Sequence, residues 1–244
     1  MMYTLFDELG GLPDVAFHRE AESHEYDRFV EETGLSLPPK HWEVLRRSDG
    51  LEVYAGYYRL FGLYPKEATG AVLWNQPEYW KFAWGGRCAD YWCFAETAWG
   101  DQYAYSMESL RTGRDETVFL IDAISMTPEV VASSFAGFVE QEFVRSAKDP
   151  YDVMIRQVRE RFGPLEVTDH LVYIPSILLG GTEDIRHVHK MNARMAMIGH
   201  GDMALQLDAG PHEGKIRAVI PYEDSLQRLR LRLVWEQTRR EEGR

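Results

Sequence analysis

Two cysteines in 244 residues, Cys88 and Cys93, are too few to staple a secreted scaffold of this size, and they are expected as buried thiols in a reducing cytoplasm. No apolar run approaches the roughly 20 residues that span a bilayer. The opening Met1–Asp7 has neither basic residues nor a small-residue cleavage site, so no secretory signal is expected. Catalytic signatures are missing too. There is no G-x-S-x-G, no H-E-x-x-H and no dinucleotide-binding glycine triplet. Neither Gly180-Gly181 nor Trp84-Gly85-Gly86 has the lysine, serine or spacing of a phosphate loop. Basic residues are scarce in the first part: up to Asp149 there are 25 Asp/Glu against 13 Lys/Arg, a net −12, whereas from Pro150 onward there are 14 of each. Such a field repels phosphate backbones and anionic lipid, which disfavours nucleic-acid and membrane binding, and it attracts a basic protein. It equally serves plain solubility.

With 45% hydrophobic and 27% charged residues, the chain has the composition of a soluble globular protein of one or two domains. Residues 20–33 carry Tyr26, Phe29, Val30 and Thr33 on one helical face, with Gly34 as a left-handed cap. Pro38-Pro39 opens a second helix, with Trp42 and Leu45 inward, that stops at Asp49-Gly50. A hairpin is expected over 51–63, broken at Gly56, then a short helix over 66–74. Strand-like pieces follow at 80–84, 91–95, 102–106 and 117–121, joined by turn residues as in an antiparallel meander. Phe135, Phe138, Val139 and Phe143 return to helical spacing. Asp149-Pro150 is the candidate boundary, dividing an acidic, aromatic-rich domain (1–149) from a smaller α+β part (150–244). In the latter a helix runs from Val153 to Gly163, strand-like pieces lie at 171–174, 194–198, 203–207 and 215–220, and a closing helix carries Leu226, Leu229 and Leu233. Residues 239–244 are expected to fray.

His187 and His189, with His200 and His212 downstream, are the first candidates for metal-dependent hydrolysis, since an i, i+2 pair on a strand shares one face. Thr182-Glu183-Asp184 reads instead as a helix cap and first turn, which would turn the two rings apart. Cys88 and Cys93 do not form C-x-x-C. No catalytic, metal or cofactor residue is therefore assigned. Six of the seven tryptophans lie in the first hundred residues, interleaved with tyrosines and carboxylates. Two readings fit: a tryptophan-rich core with an acidic rim, or a hot spot facing a basic partner, for which Glu78, Trp84, Asp90, Trp92, Glu96, Trp99 and Asp101 are the candidates.

The order of several short motifs carries a family resemblance. Leu37-Pro38-Pro39-Lys40-His41-Trp42-Glu43-Val44-Leu45, Ser48-Asp49-Gly50, Tyr58-Arg59-Leu60-Phe61-Gly62, Phe94-Ala95 leading to Gly100-Asp101-Gln102-Tyr103, and Phe135 with Phe138 together resemble the SUKH superfamily over residues 18–148. The resemblance implies an α+β fold with helices against a twisted, mainly antiparallel sheet. It also implies a non-catalytic immunity protein that binds and neutralises a cognate toxin. Two departures stand out: Asp49 where the family usually has asparagine, and about a hundred additional residues. Within these, Ile174-Pro175-Ser176-Ile177-Leu178-Leu179-Gly180-Gly181 and Met195-Ala196-Met197-Ile198 resemble the C-terminal region of type VI secretion immunity proteins. The expectation is a cytoplasmic, cofactor-free protein whose partner is a basic toxin domain, bound through the first part. The alternatives are a metal-dependent hydrolase using the C-terminal histidines and a regulatory protein-binding scaffold.

Overall fold

The alternating segments in the first part form a single sheet: Ala16–Phe17 (β1), Gly50–Val53 (β2), Tyr58–Phe61 (β3), Tyr91–Thr97 (β4), Gln102–Ser106 (β5), Val118–Ile121 (β6) and Pro128–Ala132 (β7). Each strand pairs antiparallel with the next, in the order β1 to β7. The structure, a computed structural model, describes residues 2–65, 69–211 and 214–236, with side chains from residue 6 onward. Helices Met2–Gly10 (α1), Ser23–Thr33 (α2), Pro39–Leu45 (α3), Ala71–Trp74 (α4), Met107–Thr112 (α5) and Phe135–Phe138 (α6) accompany the sheet, and α6 continues through a π turn over 139–144 into Arg145–Lys148 (α7). The fold is α+β, with helices packed on a mainly antiparallel sheet. Of the helix expected over 66–74 only α4 is helical among the described residues, and Lys66–Ala68 lie outside them.

The early helices form where their caps and apolar stripes require. Glu22 and Glu25 make a capping box at the start of α2, and Gly34, at φ +67°, ends it. Phe29 of α2 meets the edge of Trp92, and His41 of α3 stacks on Phe135 at 4.3 Å. Gly50 and Gly62 bring two backbones together: a Cβ on Gly50, at φ +100°, would lie 2.9 Å from Gly62 N. Asp49, the departure from the family pattern, accepts hydrogen bonds from Leu63 N (2.7 Å) and Arg19 Nη2 (3.3 Å).

The second part adds Val153–Phe162 (α8), a hairpin of Asp169–Tyr173 (β8) and Val188–Asn192 (β9), the helix Ala193–Ala209 (α9), and a hairpin of Ile216–Glu223 (β10) and Leu229–Trp235 (β11). Three expectations are corrected here. The pieces at 194–198 and 203–207 belong to α9, which is buried on nearly all sides and so shows no amphipathic period. The closing segment is a strand, because Asp224 Oδ1 accepts from Leu226 N and Arg228 N to set a turn, and β10 supplies the partner. Residues 80–84 contain no strand. A 3-10 turn spans Lys81–Trp84 and ends on Gly85, at φ +59°, with Trp80 and Trp84 inside the protein. A single hydrophobic core takes residues from both sides of Asp149-Pro150, including Trp84, Phe94, Ile155, Leu171 and Met197. Residues 239–244, expected to fray, lie outside the described residues.

Two core histidines give the fold a pH dependence. Burial lowers His41 to about 3 and His200 to about 4, so both stay neutral in the native state while the unfolded chain protonates near 6.5. Their contribution is complete above pH 6.5 and is lost as pH falls toward the folded values. Each is expected to add a slope of up to about 1.4 kcal/mol per pH unit below 6.5. Urea unfolding at pH 7, 6 and 5 measures it, and His41→Phe should flatten the profile.

Candidate functional site

The sheet's centre holds a charged cluster that faces the second part. A bulge in β4 places it there: Cys93 pairs with Ala104 and Ala95 with Tyr103, leaving Phe94 unpaired. The extra residue shifts the alternation. Phe94 faces the helices, stacked on Tyr105 at 4.3 Å, while Glu96 emerges on the opposite face. Glu96 is 1% exposed and accepts from Arg59 Nη1 (3.0 Å) and Gln102 Nε2 (3.2 Å), with His170 Nε2 at 2.9 Å. The other Arg59 donors go to the carbonyls of Gly56, Val167, Glu166 and Asp169, which clamps the segment entering β8 onto the sheet. Burial pushes the Glu96 carboxyl up, but His170 and Arg59 outweigh it and hold the group below its usual range.

Beside this cluster lies a cavity of about 240 Å³ at the seam between the two parts. Trp99 and Tyr173 stack on one wall with ring centroids 5.0 Å apart and planes within 8°. Trp99 Nε1 donates to Asp152 Oδ2 at 2.7 Å, while Asp152 Oδ1 caps α8 through Met154 N and Ile155 N. Asp101 accepts from Thr97 Oγ1 and Ala123 N, and burial raises its pKa. Asp122 holds the following turn through Ile124 N and Ser125 N. Glu183 and His200 complete the charged and polar lining.

The structure separates the seven residues proposed from sequence. Trp84 and Trp92 are core residues at 0% and 5% exposure, and Trp84 Nε1 donates to Met197 O at 2.9 Å; neither is on a docking face. Glu96 is likewise withdrawn, because its carboxylate is consumed internally. Glu78 and Asp90 are exposed but do not line the cavity. Only Trp99 and Asp101 stay together, each half-buried on the cavity wall. Their companions Asp122, Asp152, Tyr173, Glu183 and His200 come from five later segments, and no sequence spacing links them.

The histidines expected to diverge on a helix lie elsewhere. His187 ends a 3-10 turn over Ile185–His187, His189 is exposed on β9, His200 is buried in α9, and His212 lies outside the described residues. Among the described residues, no three His, Cys, Asp or Glu side chains are grouped as a metal site requires. Both cysteines are free and buried, and burial raises their thiols, Cys93 to about 12. Among the described residues no helix is long and apolar enough to cross a membrane.

Residues 21–141 match the model of the SMI1 / KNR4 family (SUKH-1). The chain also resembles the crystal structure of Atu4351 from Agrobacterium tumefaciens, with a TM-score of 0.52 and 10% sequence identity over 92% of this chain and 96% of that one. At that identity the likeness shows the fold alone, and it extends through the second part. No curated protein matches.

Proposed function

From residues 21–141 belonging to the SMI1 / KNR4 family (SUKH-1), we propose that the chain is an immunity protein that binds a cognate bacterial toxin and neutralises it by occlusion, without turnover. The family's association with toxin immunity carries this reading. The net charge of −12 supports a basic partner, since complementary fields speed encounter. The face around the seam cavity, with Trp99, Asp101, Asp122 and Glu183, is the docking surface in this proposal, and Glu78 and Asp90 contribute only to the long-range field. Such a protein would act in the cytoplasm, against a toxin delivered by a contact-dependent or type VI secretion route.

The test is co-expression with the product of the neighbouring gene. A stable stoichiometric complex that abolishes the toxin's activity is expected. Glu183→Lys should slow association several-fold at low ionic strength, with the difference vanishing as salt is raised. Full toxin activity beside an equimolar amount of this protein would remove the immunity reading. A complex that forms while the partner stays active would point to a regulatory scaffold instead.

A further inference from the structure

We propose that the seam cavity is a receptor for a guanidinium group, filled by an arginine side chain of the partner protein. The partner's identity rests on the immunity reading; the chemistry of the cavity does not. Three independent features converge on it.

The first is charge. Asp101, Asp122, Asp152 and Glu183 line the cavity, and among the described residues none of them forms an ion pair with a lysine, arginine or histidine. Three buried or half-buried carboxylates elsewhere are neutralised at close range: Asp202 by Arg230, Glu25 by Arg19, Glu96 by Arg59. The cavity therefore concentrates negative charge that the fold leaves uncompensated.

The second is an unpaired ring nitrogen. His200 is 6% exposed, its ring is part of the cavity wall, and its Nδ1 has no hydrogen-bond partner. A buried polar atom without a partner is costly unless something supplies one. A group carrying several N–H bonds satisfies it.

The third is shape and surface. The parallel Trp99–Tyr173 stack lines the cavity and offers flat aromatic surface at a site where a cation is already favoured. Guanidinium is planar, brings five donors in a fixed fork and stacks on aromatic rings, while an ammonium is a compact, strongly hydrated point charge. Separated carboxylates, one unpartnered ring nitrogen and a flat wall match the fork better than the point. The surroundings also suit a protein ligand over a free one: Tyr151, Val153 and Ile174, each at least half exposed, adjoin the lining residues Asp152 and Tyr173 in sequence. An apolar surround of this kind excludes water from a central anchor.

The test uses the whole protein, labelled with ¹⁵N, and Nα-acetyl-arginine amide as the probe. Saturable shifts are expected in the Trp99 indole N–H and the His200 Nδ1 resonance, with a Kd on the order of 1 mM, as an amino-acid-sized ligand reaches. The other indole signals should stay in place. The double variant Asp122→Asn/Glu183→Gln, which keeps the turn-forming oxygen of residue 122, should weaken binding at least about tenfold without moving the melting temperature. No shift at a hundredfold higher probe concentration overturns the proposal. So does equal binding of the lysine analogue, or tighter binding of spermidine or calcium chloride, which would mark a general cation site. With the toxin in hand the two readings separate. If the double variant still captures and neutralises it with unchanged dissociation, immunity stands and the cavity assignment falls. If the arginine probe binds as described but no toxin is neutralised, the cavity chemistry stands and immunity falls.

Discussion

Glu96→Ala is expected to lower the unfolding free energy by about 3–5 kcal/mol, the cost of removing one partner from a buried ion pair. The substitution leaves the Arg59 guanidinium buried at 4% exposure with one donor unmatched, and it deprives His170 and Gln102 of their acceptor. Glu96→Gln should cost less, since an amide oxygen still accepts. Urea denaturation of both variants measures the difference. A shift within about 0.5 kcal/mol, as for an exposed carboxylate, would mean that the cluster is not closed in solution. The same group has a pH signature. Its folded pKa lies below the ordinary 4.5, so its contribution is complete above that value and is lost as pH falls through the folded one. This acid-side loss begins below pH 4.5, where the histidine slope is still running, and only the latter should survive in Glu96→Gln.

Trp84→Ala is the second large expectation, again about 3–5 kcal/mol, for deleting a fully buried aromatic side chain. Two things are lost. One is the ring, packed where the Lys81–Trp84 turn meets α9: a Cβ on Gly201 would lie 3.0 Å from Trp84 Cδ1 and 2.7 Å from the Ala83 carbonyl. The other is the indole donor to Met197 O, whose removal leaves that carbonyl inside α9 with only its intrahelical donor. Because this contact joins the two parts, the variant should expose the C-terminal segment to protease before the sheet melts. At temperatures where it remains folded, its association rate with the toxin should equal the wild type's. A large change in that rate in a fully folded variant would restore Trp84 to the docking surface.

Much of the fold was legible because local chemistry and tertiary structure agree there. Gly34, Pro39, Gly56 and Gly163 stop or start elements where their backbone preferences require, and the meander from β4 to β6 follows its turn residues. The motif order in residues 37–62 and 94–103 carried the family. Aromatic enrichment misled at 80–84, since it reports burial without specifying backbone shape. The period-2 run Leu229–Leu233 is ambiguous until β10 supplies a strand partner.

Composition and motifs established an acidic, thiol-poor, tryptophan-rich chain without a nucleotide-binding or hydrolase signature, and motif order pointed to the family whose model matches residues 21–141. Which of those acids and rings meet solvent was decided by the tertiary structure. One bulged residue, Phe94, turned Glu96 from the expected rim into a buried pair, and closure of the second part onto the sheet gathered Trp99, Asp101, Asp152 and His200 from positions up to a hundred residues apart. Strand register and long-range packing are properties of pairs of segments, so no single segment's pattern contains them.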